Sequence, residues 1–380
     1  MTATKSNQLM IVPVEPASCD CTINNTMKTV LNFKNIDYTK QPLFLGEDLN
    51  LQRYDKFKYP IFFELFKKQE EFFWWPHEIS LQKDRGDYKE LSKEERFVFD
   101  TNLKFQTLGD SMLSRSIHSL KDYVSNPELE ICMNTWQRFE GIHSYSYSYL
   151  LNNVHPDASA FFDSIMDDKE IVTRAEVIRS NYDKILGSDN KKDLKEKIFD
   201  CVLAINCMEG LIFYVSFACS FYFGYRGKME GNAKIIKFIQ RDESLHFGIT
   251  QNLIKILRDE DKEGFTSIVK KNEDKIYAFY EQAAKNEVEW ANYLFSKGSL
   301  LGLNADVLGG YARWLCDTRL RSLGYKKIFN EKSNPISGWL DSYLDSSKVQ
   351  VAPQETEISA YKIGARDTSI TEESFSDIEL

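Results

Sequence analysis

Between about residue 31 and residue 325, apolar residues recur mostly at the three-to-four spacing of a buried helix face, and the strict alternation of a strand is scarce. The clearest start is Ser92, with Glu95 three residues on. This is a capping box, and it opens a run through Phe99, Leu103 and Leu108 to about Leu120. Pro127 suits the first turn of a second helix reaching about Asn152. Further helical patterns cover about 168–187, 191–225, 232–258, 262–298 and 304–325. The pattern predicts an all-α protein. Residues 1–30 mix Thr, Asn, Pro and Ser without periodicity and predict a loosely ordered N-terminal extension. After Pro335 the pattern fades, and Val351 to Leu380 carries seven acidic residues against Lys362 and Arg366. The predicted organisation is therefore an extension over 1–30, a helical domain over 31–345 and a flexible, solvated C-terminal tail over 346–380. The tail closes on Phe375, Ile378 and Leu380, an apolar stripe suited to docking on a partner.

One helical run raises a membrane alternative. Residues 201–225 form a 25-residue stretch with Glu209 as its one charge, long enough to cross a bilayer. A carboxylate near the middle would cost roughly 2.5–3.5 kcal/mol on insertion scales, and no second span could shelter it. A core helix buried on all sides is the better reading, and its carboxylate must then be paired or bound to metal.

Composition agrees with a large core. The 380 residues include 26 Phe and 19 Tyr, more than a surface would carry, so aromatic packing fills much of the interior. The net charge of −9 and the absence of a basic stripe argue against nucleic acid. Seven scattered cysteines suit a reducing cytoplasm better than a disulfide framework. The N-terminus carries no basic-then-apolar pattern of a signal peptide.

The candidate chemistry lies in two Glu-x-x-His pairs, Glu140/His143 and Glu243/His246, on separate predicted helices. A spacing of three puts both side chains of each pair on one helical face. Asp110, in FQTLGDSML, and Glu209 are lone carboxylates in mostly uncharged windows of two other helices. Four buried carboxylates balance two divalent cations, and two neutral imidazoles add ligands without charge. One carboxylate from each of two helices plus Glu-x-x-His from each of two others is the inventory of four-helix di-metal carboxylate bundles. The alternative is that these histidines and carboxylates merely satisfy one another. His77, His118 and His155 lack such company and suit structural or exposed roles.

Tyr147 lies one turn after His143 on the same face. Phe213 and Phe217 follow Glu209 by four and eight, and Ile239 precedes Glu243 by four, so all three can wall that tyrosine from water. A dry aromatic pocket would protect a tyrosyl radical. Tyr145, Tyr147 and Tyr149 could equally be no more than a tyrosine-rich helix.

From about Leu43 to Leu380 the chain resembles the small, radical-generating subunit of class I ribonucleotide reductase. The segments KQEEFFWWP, NLKFQTLGDS, FEGIHSYSY, NCMEGLIFYVSFACSF, MEGNAKIIKFIQRDESLH and VAPQETEISAYKIG carry the resemblance. It implies a ferritin-like bundle with additional helices, and two iron ions per chain, for which manganese could substitute. Asp110, Glu140 and His143 would bind one ion and Glu209, Glu243 and His246 the other, with glutamates bridging. Molecular oxygen would oxidise Tyr147 to a stable radical. His143, Asp242 and Trp74 would form the inner part of an electron and proton route, with Tyr361 relaying to the large catalytic subunit and Glu355 in the same tail motif. A cytoplasmic homodimer is implied. Tyr145 and Ile212 depart from the side chains usual in the family, and Tyr145, two residues from Tyr147, belongs to another helical face.

Two other functions share the ligands. An iron-storage shell of ferritin type needs only about half this length and leaves Trp74, Tyr147 and the tail unexplained. A di-iron oxygenase with its own small substrate needs an open pocket, which Phe213, Phe217 and Ile239 would close.

Overall fold

A computed structural model describes residues 29–186, 191–260 and 264–345. The helices, in chain order, are α1 (Pro60–Glu71), α2 (Gln82–Glu90), α3 (Lys93–Lys121), α4 (Pro127–Val154), α5 (Ala158–Asp163), α6 (Lys169–Asp183), α7 (Lys191–Cys207), α8 (Phe213–Tyr225), α9 (Glu230–Asp259), α10 (Thr266–Lys271), α11 (Glu273–Leu294), α12 (Ala305–Ser322) and α13 (Ser337–Leu344). A π-turn, Met208–Ile212, joins α7 to α8. No strand occurs among the described residues, only the isolated bridges Phe44–Val124 and Leu300–Leu303. The all-α, ferritin-like expectation is met. The extension through residue 28 and the tail from residue 346, including Glu355, Tyr361, Phe375, Ile378 and Leu380, lie outside the described residues.

The long helices begin where their local chemistry directs. Ser92 Oγ accepts from Glu95 N at 3.1 Å and Glu95 Oε2 accepts from Ser92 N at 2.9 Å, which completes the capping box of α3. Asn126 caps α4 through Leu129 N at 2.9 Å, and Pro127 fills the first position, where no N–H is needed. Helix α9 is capped from elsewhere. Asp84 on α2 accepts from Gly231 N at 2.9 Å and Asn232 N at 2.6 Å, while Met229 turns the chain in the left-handed region at φ 51°.

Helices α3, α4, α9 and the α7–π–α8 rod pack together as the core bundle. The apolar run is inside it from Cys201 to Phe223, with Tyr225 exposed at its end: the helical stretch Asp193–Tyr225 is apolar enough to cross a membrane by composition, yet its most apolar window is 100% buried in the fold. Three expectations need correction. The run over 191–225 is not one regular helix, because the π-turn interrupts it. The run over 262–298 is two helices broken at Asn272, after which Glu273 and Asp274 favour a fresh N-terminus. The chain beyond Pro335 forms α13, whose Leu340 is buried and whose Tyr343 stacks on Phe221 at 4.9 Å. Eight residues are too few for a periodicity to show.

Candidate metal centre

Each core helix delivers its chemistry to one buried point. Helix α3 brings Asp110, α4 brings Glu140, His143 and Tyr147, the π-turn brings Glu209, and α9 brings Asp242, Glu243 and His246. Asp110, Glu140, His143, Glu209, Glu243 and His246 are all 0% exposed. Their ligand atoms fall into two groups, each within 4.8 Å: Asp110, Glu140, His143 and Glu243, then Glu140, Glu209, Glu243 and His246. Glu140 and Glu243 belong to both, as bridging carboxylates must.

The unsatisfied atoms show what this centre is built to hold. Both carboxylate oxygens of Asp110 and of Glu209, Glu140 Oε2, Glu243 Oε1, His143 Nδ1 and His246 Nε2 are buried without a hydrogen bond of good geometry. Leaving so many polar atoms unpaired in a protein interior is costly, and cations coordinated by oxygen and imidazole nitrogen would satisfy them. The residues therefore fit a pair of metal ions.

Electrostatics agree. Burial, reinforced by neighbouring carboxylates, raises Asp110 and Glu209 well above the ordinary carboxylate range. For Glu243, burial acts upward but is outweighed by His143, Glu209 and His246, so its pKa falls below the usual range. Burial disfavours charge on both histidines, yet the carboxylates win: Glu243 raises His143 well above normal, and Glu243 with Glu140 lifts His246 to about 9. The cluster draws positive charge.

His143 faces two ways. Its Nδ1 lies 3.1 Å from Glu243 Oε1, while its Nε2 lies 3.1 Å from Asp242 Oδ2. The same oxygen accepts Trp74 Nε1–H at 2.7 Å. Trp74 is 1% exposed and stacks on Phe238 at 5.1 Å. Trp74, Asp242 and His143 thus form one hydrogen-bonded chain ending at the centre, although α1 and the turn after it are remote in sequence from α9.

Tyr147 is 0% exposed, and its hydroxyl makes no hydrogen bond of good geometry. Burial, then the charge of Asp110, pushes its phenol pKa well up, so the phenol keeps its proton at neutral pH. Phe213, Phe217 and Ile239 are fully buried, and Phe213 stacks on Phe217 at 5.6 Å. A Cβ on Gly109 would sit 2.8 Å from the Phe213 ring, so that ring packs on the backbone beside Asp110. Tyr145 points away: it is 48% exposed and meets Trp75 edge-on at 6.3 Å. Tyr149 donates to Ile79 O at 2.8 Å.

Three residues escaped the sequence reading. Trp136 donates to Glu140 Oε1 at 2.8 Å and stacks on His246 at 5.0 Å. Its position four before Glu140 was the available signal. Arg241 hydrogen-bonds Phe72 O, and its Nε lies 3.8 Å from Asp242 Oδ1, which braces the turn that presents Trp74. Arg319 reaches the π-turn from α12 and had no signal in the sequence.

A family model described as ribonucleotide reductase, small chain, matches residues 52–335. The ribonucleoside-diphosphate reductase 1 subunit beta of Salmonella typhimurium is 40% identical over 366 residues, spanning 90% of this chain and 97% of that protein. Among solved structures, the ribonucleotide reductase R2 subunit from Clostridium botulinum superposes with TM-score 0.77 at 26% identity, covering 83% of this chain and 98% of that one. A dimanganese(II) protein from Streptococcus sanguinis shares the fold with TM-score 0.64 at 22% identity, over 78% of this chain and 99% of that one.

Proposed function

The chain belongs to the family of ribonucleotide reductase small chains, and from that membership we propose that it generates and stores a radical on Tyr147 and lends it to a large catalytic subunit for ribonucleotide reduction. The observation that carries this reading is the pair of overlapping ligand groups sharing Glu140 and Glu243, with fully buried Tyr147 one turn beyond His143.

Asp110, Glu140, His143 and Glu243 would hold one metal ion, and Glu140, Glu209, Glu243 and His246 the other. When bound, the metal pair supplies, with molecular oxygen, the oxidising power to take one electron from a phenol. Iron is the first reading. Manganese fits the same oxygen-and-imidazole donors, and the Streptococcus sanguinis relative is described with two manganese(II) ions.

The protein's own groups do the rest. Tyr147 loses an electron and its phenolic proton, and Asp110 is the carboxylate whose charge bears most on that phenol. The burial of Phe213, Phe217 and Ile239 keeps water and reductants from the oxidised ring. Trp74, Asp242 and His143 offer a continuous hydrogen-bonded path from the centre towards the surface turn of residues 72–76, with one Asp242 oxygen set between the indole N–H and the imidazole. Tyr361, with Glu355 nearby in sequence, would carry the oxidising equivalent onward to the large subunit, and the tail over 346–380 would dock it. A cytoplasmic homodimer completes the proposal. The apolar window of the 201–225 run is spent on the core rather than on a membrane, and the −9 charge does not favour nucleic acid.

The test is electron paramagnetic resonance on iron-loaded, oxygen-exposed protein. The expected result is about two metals per chain and a tyrosyl signal that Tyr147→Phe abolishes without loss of metal. A signal unchanged in that variant would move the radical to Tyr145 or Tyr149, and metal binding indifferent to Glu243→Ala would remove the centre itself.

A further inference from the structure

Glu209 is the one ligand carried by a π-turn rather than a regular α-helix. Phe213 N bonds Met208 O, five residues back, so the helix widens there by one residue. The widening is gripped from outside at Gly210, the residue next to Glu209. Arg319 on α12 donates its Nε–H to Gly210 O at 2.7 Å. The guanidinium is itself held between two rings, over Phe247 at 4.4 Å and over Tyr214 at 4.6 Å. Phe247 follows His246, and its ring lies so close to Gly210 that any Cβ there would approach it to 2.3 Å. Just before the turn, Asn206 donates to Thr250 Oγ1 on α9 at 2.8 Å and accepts from Tyr280 on α11.

We propose that Arg319 is a positioning residue that locks the π-turn and so aims Glu209 at the metal position formed with Glu140, Glu243 and His246. The argument is one of register. Successive residues of an α-helix are turned by about 100°, so a turn that sheds its extra residue and returns to regular α-geometry swings Glu209 well off the centre. A charge-assisted hydrogen bond to the Gly210 carbonyl opposes that relaxation. Phe247 forbids a side chain at Gly210 and seats the guanidinium at the same time, so it couples the turn to the helix that carries Glu243 and His246. Of the two ligand groups, only the one with His246 includes Glu209, so the other position, with Asp110, Glu140, His143 and Glu243, loses no ligand when the π-turn relaxes.

This inference rests on the two-metal reading, and the experiment separates the two. Manganese(II) alone is titrated into wild type, Arg319→Gln, Arg319→Lys and Gly210→Ala, with bound and free ion followed by electron paramagnetic resonance and the fold by thermal denaturation. Wild type should take two ions. Arg319→Gln should keep the first at wild-type affinity and bind the second at least tenfold more weakly, in the range of 10- to 100-fold typical when a group supporting a ligand is lost. Arg319→Lys, which retains a long, charged donor for the carbonyl, should recover part of that loss, and Gly210→Ala should reproduce the defect by displacing Phe247. The proposal is overturned if Arg319→Gln binds both ions as wild type does, or if both positions weaken together with a lowered melting temperature. Should Arg319→Gln fail to fold, Arg319→Lys and Gly210→Ala decide by the same selective criterion. Wild type taking only one ion would overturn the two-metal reading itself, and this inference with it.

Discussion

Asp242 Oδ2 receives the Trp74 indole N–H at 2.7 Å and lies 3.1 Å from His143 Nε2, so one oxygen atom joins a tryptophan to a histidine of the buried carboxylate cluster. Trp74 and Asp242 are 168 positions apart in the chain. Phe238 stacks on the Trp74 ring and Arg241 flanks the other Asp242 oxygen, so both groups are held in this arrangement from outside the pair. An aspartate oxygen set between an indole N–H and an imidazole links an oxidisable ring to a protonatable one through hydrogen bonds.

Trp74→Phe removes the N–H while keeping an aromatic ring against Phe238. The variant should load metal and form the Tyr147 radical normally, yet nucleotide reduction with the large subunit should fall about 10- to 100-fold or more, the scale for losing a partner of a ligand histidine. Asp242→Asn should fall comparably while leaving the indole in place. Radical yield and turnover are measured on the same preparations. Turnover near wild type in Trp74→Phe would take this chain off the route.

The candidate ligands were legible because each obeys a local rule. Glu140/His143 and Glu243/His246 show the three-residue spacing of one helical face, and Asp110 and Glu209 stand out as charges in apolar windows. The buried position of Tyr147 and the outward turn of Tyr145 follow from the same geometry. What stayed hidden depends on partners brought by the fold. Arg319 serves Gly210 across 109 positions, and Asp84 caps α9 across 147, so no window of sequence contains either pair. The π-turn was hidden because the run around Glu209 is apolar on every side, so one inserted residue leaves no break in the pattern. Trp74 and Asp242 look locally like a core aromatic and a surface acid, and the family resemblance, rather than periodicity, marked them.

Asp100 gives a pH prediction away from the centre. Its carboxylate, largely buried on α3, accepts from Tyr88 OH at 3.0 and 3.1 Å, and burial raises its pKa to about 6 against the opposing effects of Tyr88, Arg96 and Lys104. The folded protein therefore holds this proton at pH values where the unfolded chain has released it. Stability contributed by this group is full below about pH 4 and is lost as pH rises through about 6. The loss amounts to at most roughly 3 kcal/mol. Asp100→Asn keeps an acceptor for Tyr88 without the ionisation, so it should gain on wild type in urea unfolding at pH 7.5 and show little gain at pH 4.5. Parallel stability profiles for the two proteins would refute the assignment.

In the proposed function, docking and electron transfer fall to different residues of the tail and can be separated by mutation. Residues 351–380 carry seven acidic groups against two basic ones and end on Phe375, Ile378 and Leu380, so acidic residues suit a basic groove and the apolar three supply anchors. Ordering such a segment on a partner costs conformational entropy, which buried anchors must offset. Removing Phe375 to Leu380 should therefore weaken binding to the large subunit about a hundredfold or more, the effect of losing one or two apolar anchors, while the Tyr147 radical forms as in the intact chain. Tyr361→Phe leaves every anchor and charge in place but has no phenolic proton to release. It should bind with wild-type affinity and fail in nucleotide reduction. Affinity and reduction are measured side by side for both variants. Near-normal reduction by Tyr361→Phe would exclude that residue from the path, and undiminished affinity after the truncation would place docking on the helical domain instead.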